Sequence, residues 1–445
     1  MKIVIAGAGE VGTHLAKLFC GDDHDVILID SDEGKLRNVA SMYDLLTVPG
    51  SVTSIDDLRS AQAHNCDLFI AVPPYEEVSL VSAILAKKMG AQKTIARINN
   101  KEYLLPENKE YFRQLGIDEM VYPEHLAARE IVTSLKQVGT RQIFEFNNSK
   151  LLLYAIKIRS NAPMVGKSVA EVNSLHPNLY YTLAINRDGR TIIAHGDEMY
   201  KHEDLIYVVT TKAGTTRLLS DAGKFQYEVK NVMMLGGSRI GLKVAKVLEN
   251  DYHLKLLEVS RSKSIFLADE LENTMVIHGD GRNLSLLKEE GISKTDAFIA
   301  VTDVSEINIM ACQLAKKMGV KKTIAEVENM DYINLAENMG IGTIINKKLL
   351  AASYIYRHTF KANVSYSKCL TASDADVLEM IAHQGAKITK SPLRDMNLPK
   401  EINIGGVIRN GDTIIPNGDT QIQAGDRVIV LTLPVGIKKL EKLFL

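Results

Sequence analysis

Asp67–Arg97 reads DLFIAVPPYEEVSLVSAILAKKMGAQKTIAR, and Asp296–Glu326 reads DAFIAVTDVSEINIMACQLAKKMGVKKTIAE, with no gap between the two. A match of that length inside one chain marks an internal duplication, which governs how every other segment is read. Towards the N-terminal side of each copy, Gly7 and Gly12 return as Gly236 and Gly241 at the same distance from the repeat. Towards the C-terminal side, Arg187–Ile193 (RDGRTII) returns as Arg409–Ile415 (RNGDTII), and Gly196, Asp197 and Asp204 match Gly418, Asp419 and Asp426. The chain is therefore written as large, small, large, small.

In the first large segment Lys2–Ala6 is an apolar run fit for a buried strand, Val11–Cys20 has helical spacing, and Asp25–Ile29 is a second strand. Strands at Leu68–Val72 and Thr94–Ile98 flank a helix from about Val78 to Met89 that stops at Gly90. Strands alternating with helices imply a parallel, doubly wound sheet. The small segments are rich in strand and turn signals such as Asp188-Gly189 and Asn410-Gly411. The fold class expected is α/β: a tandem repeat of a Rossmann-like parallel-sheet domain followed by a small α+β domain. The segments are 1–140, including a crossover helix over Pro123–Val138, then 141–225, 229–362 and 363–445. The crossover helix is placed to pack against another copy of the unit.

Composition narrows the function. The 445 residues carry 53 basic and 54 acidic side chains, a formal charge of -1, so no global field draws in nucleic acid. Cys20, Cys66, Cys312 and Cys369 are scattered, as reduced cytosolic thiols are. No stretch approaches the roughly 18 to 20 consecutive apolar residues that span a bilayer. The opening runs straight into a strand, so no secretory leader is expected and any membrane connection goes through a partner.

Gly7-Ala8-Gly9-Glu10-Val11-Gly12 places G-x-G-x-x-G between a strand and a helix. The first glycine allows the tight turn, the second lets a pyrophosphate approach the backbone, and the third allows close helix packing; the helix N-terminus supplies free N–H groups. Asp30 closes the second strand about 20 residues later, where a carboxylate accepts from a ribose diol and repels a 2′-phosphate. That favours NAD or another adenosine nucleotide over NADP. Ser51 and Val52 after the third strand, and Val72 and Pro73 after the fourth, lie at carboxyl ends of strands, and Arg97 is placed to reach a phosphate. In the second copy the loop is Gly236-Gly237-Ser238-Arg239-Ile240-Gly241, so Ser238 replaces the middle glycine. Glu258 keeps the acid, counted one residue out of register with Asp30, and Glu326 reverses the charge of Arg97. The two sites are expected to bind unequally, the second more weakly or with a different ligand.

No residue pattern points to catalysis. The histidines lack metal-ligand spacing, there is no Walker-type G-x-x-x-x-G-K-[ST], and no acid–base pair accompanies the glycine loops, as a hydride-transfer enzyme would need. No catalytic residue and no metal are expected. An NAD-dependent oxidoreductase and a soluble metabolite sensor without a membrane partner are the alternatives.

The order of segments, GAGEVG with Asp30, FIAV followed by an acidic turn and LAKKMG, TIAR, and VIHGDG in the second half resemble the bacterial TrkA family of potassium-uptake proteins, built from RCK domains. The resemblance covers nearly the whole chain. It implies NAD or NADH, with ATP or ADP as further candidates, bound at Gly7, Ala8, Gly9, Glu10, Val11, Gly12, Asp30, Ser51, Val52, Val72, Pro73 and Arg97. The second site it implies uses Gly236, Gly237, Ser238, Arg239, Ile240, Gly241, Glu258, Asp280, Gly281, Val301 and Thr302. It further implies a dimeric or tetrameric ring, peripheral on the cytoplasmic face of the inner membrane, regulating an integral-membrane potassium transporter of Trk or Ktr type. Pro73-Pro74-Tyr75 departs from the Thr-Ser-Asp-like turn usual there.

Overall fold

The computed structural model of the chain describes residues 1–21, 24–136, 140, 142–148, 150–224, 227–356, 358, 364–370 and 375–444. The chain divides into two compact units, Met1–Leu126 with Lys347–Lys361, and Ala127–Asn346 with Ala362–Leu445.

The first sheet has six strands, β1 (Lys2–Ala6), β2 (Asp25–Asp30), β3 (Leu46–Pro49), β4 (Leu68–Ala71), β5 (Lys93–Arg97) and β6 (Glu119–Val121). Their order is β3-β2-β1-β4-β5-β6, and every neighbouring pair is parallel. Helices α1 (Glu10–Gly21), α2 (Glu33–Ala40), α3 (Ile55–Ser60), α4 (Glu76–Met89) and α5 (Pro106–Leu115) connect them. Because helices shield such a sheet, its central strands are continuous apolar runs rather than alternating: Ile3, Val4, Ile5 and Ala6 of β1 and Leu68, Phe69, Ile70 and Ala71 of β4 are all fully buried. The strand order reverses between β1 and β4, which leaves a crevice at their carboxyl ends. The expected helix at Val78 starts two residues earlier, and Glu76 in its first turn accepts from the Asn99 and Asn100 amides at 2.6 and 3.0 Å.

Helix α6 (Pro123–Lys136) follows; the last expected residues of the crossover, 137–138, lie outside the described residues. Then come β7 (Gln142–Phe146), β8 (Leu151–Lys157), α7 (Val169–Leu175), β9 (Tyr180–Arg187), β10 (Arg190–Ile193), β11 (Leu205–Thr211) and α8 (Lys212–Asp221). They form an antiparallel sheet in the order β10-β9-β11-β8-β7.

The second large segment repeats the first. Strands β12 (Asn231–Leu235), β13 (His253–Glu258), β14 (Thr274–His278), β15 (Ala297–Ala300), β16 (Lys322–Glu326) and β17 (Thr343–Ile345) give the order β14-β13-β12-β15-β16-β17, again all parallel. Its helices are α9 (Arg239–Leu248), α10 (Arg261–Glu270), α11 (Leu284–Glu289), α12 (Ser305–Lys317), α13 (Asp331–Asn338) and α14 (Lys347–Tyr356). The last sheet, β18 (Val364–Cys369), β19 (Asp376–Ile381), β20 (Ile402–Arg409), β21 (Asp412–Ile414) and β22 (Arg427–Thr432), is antiparallel in the order β18-β19-β22-β20-β21 and precedes α15 (Ile437–Phe444).

The two small sheets share one core, in which Leu153, Tyr207 and Val209 are buried together with Val377, Ile429 and Leu431. Close approach explains two glycines on β20: a Cβ at Gly405 would stand 2.7 Å from Leu183, and one at Gly406 2.4 Å from Leu151. The repeated Arg-x-Gly turns are hairpins with positive φ at both central residues, 52° and 79° at Asp188-Gly189 and 52° and 86° at Asn410-Gly411. Their arginines form forked pairs with the repeated aspartates. Arg187 donates to both oxygens of Asp204 at 2.8 Å, and Arg409 to both oxygens of Asp426 at 2.9 and 2.7 Å. These acids serve the fold of each small domain.

Each repeat lends its crossover helix to the other. From Ala127 onward α6 belongs to the second unit, where Ser134 Oγ lies 2.9 Å from Thr343 Oγ1 and Lys322 Nζ donates to the Thr140 carbonyl at 3.0 Å. Helix α14 belongs to the first unit, with the Tyr356 ring 5.8 Å from that of Phe19, and Lys93 Nζ 2.9 Å from His358 Nδ1. Lys93 and Lys322 are the matching first residues of β5 and β16, so one lysine per repeat meets the end of a borrowed helix. The copy against which α6 packs is thus the other repeat of the same chain.

Candidate nucleotide sites

The first site is assembled by backbone bonds between loops. The Gly7 amide donates to the Ile29 carbonyl at 2.8 Å, and the Ala8 amide donates to Asp30 Oδ2 at 2.6 Å. The other oxygen of Asp30 accepts from the Asp32 amide at 2.8 Å. The Gly50 amide bonds the Asp30 carbonyl at 3.0 Å, which brings Ser51 beside the acid, and Asp57 accepts from the Ser51 amide at 2.8 Å. Val72 and Pro73 back onto Gly7, where a Cβ would stand 3.1 Å from the Pro73 nitrogen.

The three glycines of the loop serve different ends. At Gly12 a Cβ would lie 1.9 Å from the Gly7 carbonyl oxygen, so its absence lets α1 start on top of β1. At Gly9 a Cβ would have no atom within 4 Å, and no strained backbone demands glycine there. Packing therefore explains Gly7 and Gly12 and leaves Gly9 facing open space at the N-terminus of a helix, the arrangement that suits a phosphate. Val11 and Val72 are buried.

Arg97 closes β5, with its Nη2 3.7 Å from Glu124 Oε1. Arg97 Nε and Glu124 Oε2 are both buried without a hydrogen-bond partner, which is costly unless a further polar group completes them. Glu124, in the first turn of α6, was not singled out by sequence reasoning. Setting Val121-Tyr122-Pro123-Glu124 beside Ile345-Asn346-Lys347-Lys348 exposes it, because the two positions carry opposite charges.

In the second site the Gly236 amide bonds the Leu257 carbonyl at 2.9 Å and the Gly237 amide bonds Glu258 Oε2 at 2.7 Å. Glu258 Oε1 accepts from the Ser260 amide at 2.8 Å. Glu258 is therefore the exact counterpart of Asp30, each the last residue of its strand, and the one-residue offset counted from the glycines is absorbed between α9 and β13. Ser238 Oγ caps α9 by accepting from the Gly241 amide at 3.2 Å. Arg239 is exposed, whereas Ile240 and Val301 are buried.

The remaining residues of that site are engaged locally. Asp280 is forked by the Arg282 guanidinium, which holds its carboxyl below the usual range. A Cβ at Gly281 would stand 2.3 Å from Leu235 Cδ1. Thr302 donates through its amide and hydroxyl to Asn308 Oδ1 at 3.0 and 2.7 Å, and Asn308 Nδ2 donates to the Glu326 carbonyl at 2.9 Å. Pro73, the matching residue of the first site, has no amide hydrogen to give.

The TrkA-N domain model matches residues 3–123 and 232–347, and the TrkA-C domain model matches residues 377–445. The chain is 30% identical over 422 residues to the Trk system potassium uptake protein TrkA of Vibrio alginolyticus, covering 93% of this chain and 92% of that one. Among solved structures, the GsuK RCK domain superposes with a TM-score of 0.61 at 14% identity, over 99% of this chain and 94% of that chain. The GsuK channel bound to NAD superposes at 0.60 and 14% identity, over 99% of this chain and 78% of that chain. Two parallel Rossmann-like sheets, each followed by a small antiparallel sheet, define the class: a tandem protein with the fold of the GsuK RCK domain. Within that class, the chain belongs to the TrkA family of Trk-system potassium uptake proteins.

Proposed function

We propose that this chain is a nucleotide-responsive regulatory subunit that gates a membrane-embedded potassium transporter of Trk or Ktr type. The family and its relatives support a role in potassium uptake. No helix among the described residues is long and apolar enough to cross a membrane, so the reading assigns permeation to a partner. It places the protein on the cytoplasmic face of the inner membrane as a homo-oligomeric ring, with functional segments 1–140, 141–225, 229–362 and 363–445.

The observation that carries the nucleotide reading is Gly9, a glycine that packing does not require, open at the N-terminus of α1 beside an Asp30 already oriented by two amides. NAD or NADH would lie with its pyrophosphate over Gly7–Gly12 and a ribose on Asp30, and ATP or ADP would use the same contacts. A bound nicotinamide would supply redox chemistry only with an acid–base pair, which the crevice residues named above do not provide. Their role is to bind. A ligand moves a gate only by favouring one conformation of the ring, so occupancy of the crevice must be coupled to the movable parts of the fold.

Potassium flux through reconstituted transporter, with and without NAD, NADH, ATP and ADP, tests the reading. A flux that changes with one nucleotide and ceases to respond in Gly9→Asp supports it, and a flux indifferent to all four overturns it.

A further inference from the structure

Among the side chains outside the two glycine loops, Lys348 stands out. It is the second residue of α14, a helix that the second repeat contributes to the first unit, and it forms an ion pair with Glu10. Glu10 is the first residue of α1 and follows Gly9 directly. The ion pair therefore lies at the helix N-terminus where the nucleotide reading puts the phosphates.

The two partners are held differently. The Lys348 side chain is only 16% exposed and that of Glu10 58%. Helix α14 is anchored at its C-terminal end, by Tyr356 against Phe19 and by Tyr354 Oη donating to Glu119 Oε2 at 3.5 Å, and Ala351, Ala352 and Ile355 along it are buried. The cation is thus fixed by packing, while the carboxylate is free to swing into solvent. A carboxylate in the first turn of a helix also takes the same partial positive charge that a phosphate would take. Glu10 accordingly acts as an internal stand-in for the anion, and Lys348 is the group that would pair with either.

The matching positions of the other repeat carry reversed charges, Glu124 for Lys348 and Arg239 for Glu10. A helix bearing Glu124 in place of Lys348 would bring a second carboxylate to Glu10, so only the helix of the second repeat can complete this loop.

We propose that Lys348 is a phosphate-binding residue of the first nucleotide site, supplied by the second repeat, and that an incoming nucleotide diphosphate displaces Glu10 from it. This rests on the nucleotide reading above. It also provides the coupling that reading needs, because the ligand in the crevice of one repeat would be gripped by a helix of the other.

The test is calorimetric titration of the full chain carrying Ser238→Asp, so that the first crevice reports alone, with NADH, ADP and adenosine. Lys348→Gln should weaken NADH and ADP by about tenfold, the low end for a hydrogen bond to a charged group, leave adenosine unchanged, and be rescued by Lys348→Arg. Glu10→Gln should bind ADP several-fold more tightly, since the competing carboxylate is gone. A purely structural ion pair predicts instead that both substitutions lower the melting temperature alike and leave affinity unmoved, which would overturn the proposal while the nucleotide site stands. Binding of none of the three ligands by the parent chain would overturn the nucleotide reading and this inference with it. If Lys348→Gln does not fold, the Glu10→Gln arm decides: unchanged ADP affinity overturns the proposal and tighter binding upholds it.

Discussion

Ser238 Oγ accepts the Gly241 amide hydrogen bond at 3.2 Å, and so occupies an amide at the mouth of the second glycine loop with a side chain of the protein itself. In the first loop Gly9 has no side chain to do the same. Ser238→Gly should release that amide and strengthen nucleotide binding at the second site several-fold, at a cost of a few tenths of a kcal/mol from the lost cap. Titration in a Gly9→Asp background checks it, and unchanged affinity would show that the cap does not limit the site.

Gly9 and Gly12 should respond oppositely to the same small change. Gly12→Ala places a methyl 1.9 Å from a carbonyl oxygen and should destabilise the chain by about 1–3 kcal/mol. Gly9→Ala meets open space and should stay within about 0.5 kcal/mol of the parent, yet lose nucleotide affinity. Thermal melts with and without NADH separate the two effects.

Arg97 and Glu124 are a buried pair of imperfect geometry, 3.7 Å apart. Arg97→Met strands a buried carboxylate and should cost about 3 kcal/mol, whereas Arg97→Met with Glu124→Met should recover most of the loss. Denaturant unfolding of the single and double variants measures this; a double variant as weak as the single would mean that the pair is held by its surroundings rather than by each other.

Lys322 is fully buried, and burial, with Lys224 nearby, lowers its ammonium from 10.5 to about 7. The unfolded chain therefore binds the proton more tightly, so the contribution of this group to stability is greatest above pH 10.5 and is lost as pH falls to about 7. Relative to Lys322→Met, the parent should gain stability from pH 7 to pH 10 by at most about 1.4 kcal/mol per pH unit. Paired urea melts across that range test it, and parallel curves for the two proteins would show that Lys322 does not titrate there.

Much of the nucleotide loop was legible because it is local. Strand, turn and helix follow one another within Lys2–Gly21, and backbone sterics dictate where glycine must stand. The repeated Asp204 and Asp426 were equally visible as repeats, but their purpose was not, since the arginines that fork them come from the hairpins 17 residues earlier in both cases. The one-residue offset of Glu258 is real in the sequence, but its equivalence to Asp30 shows only in the strand pairing, because the offset falls between α9 and β13 while both acids close their strands.

By itself the sequence determined the duplication, the parallel-sheet class of both large segments and the difference between Gly9 and Ser238, all of which depend on short-range spacing and on the presence or absence of a Cβ. Only the tertiary structure decided which helix completes which unit. Exchange of α6 and α14 between the repeats brings Lys348 to Glu10 and Lys322 to Thr140 across 338 and 182 residues. Contacts of that kind leave no periodic trace in the chain, because they depend on where separate elements pack and not on what lies next to them.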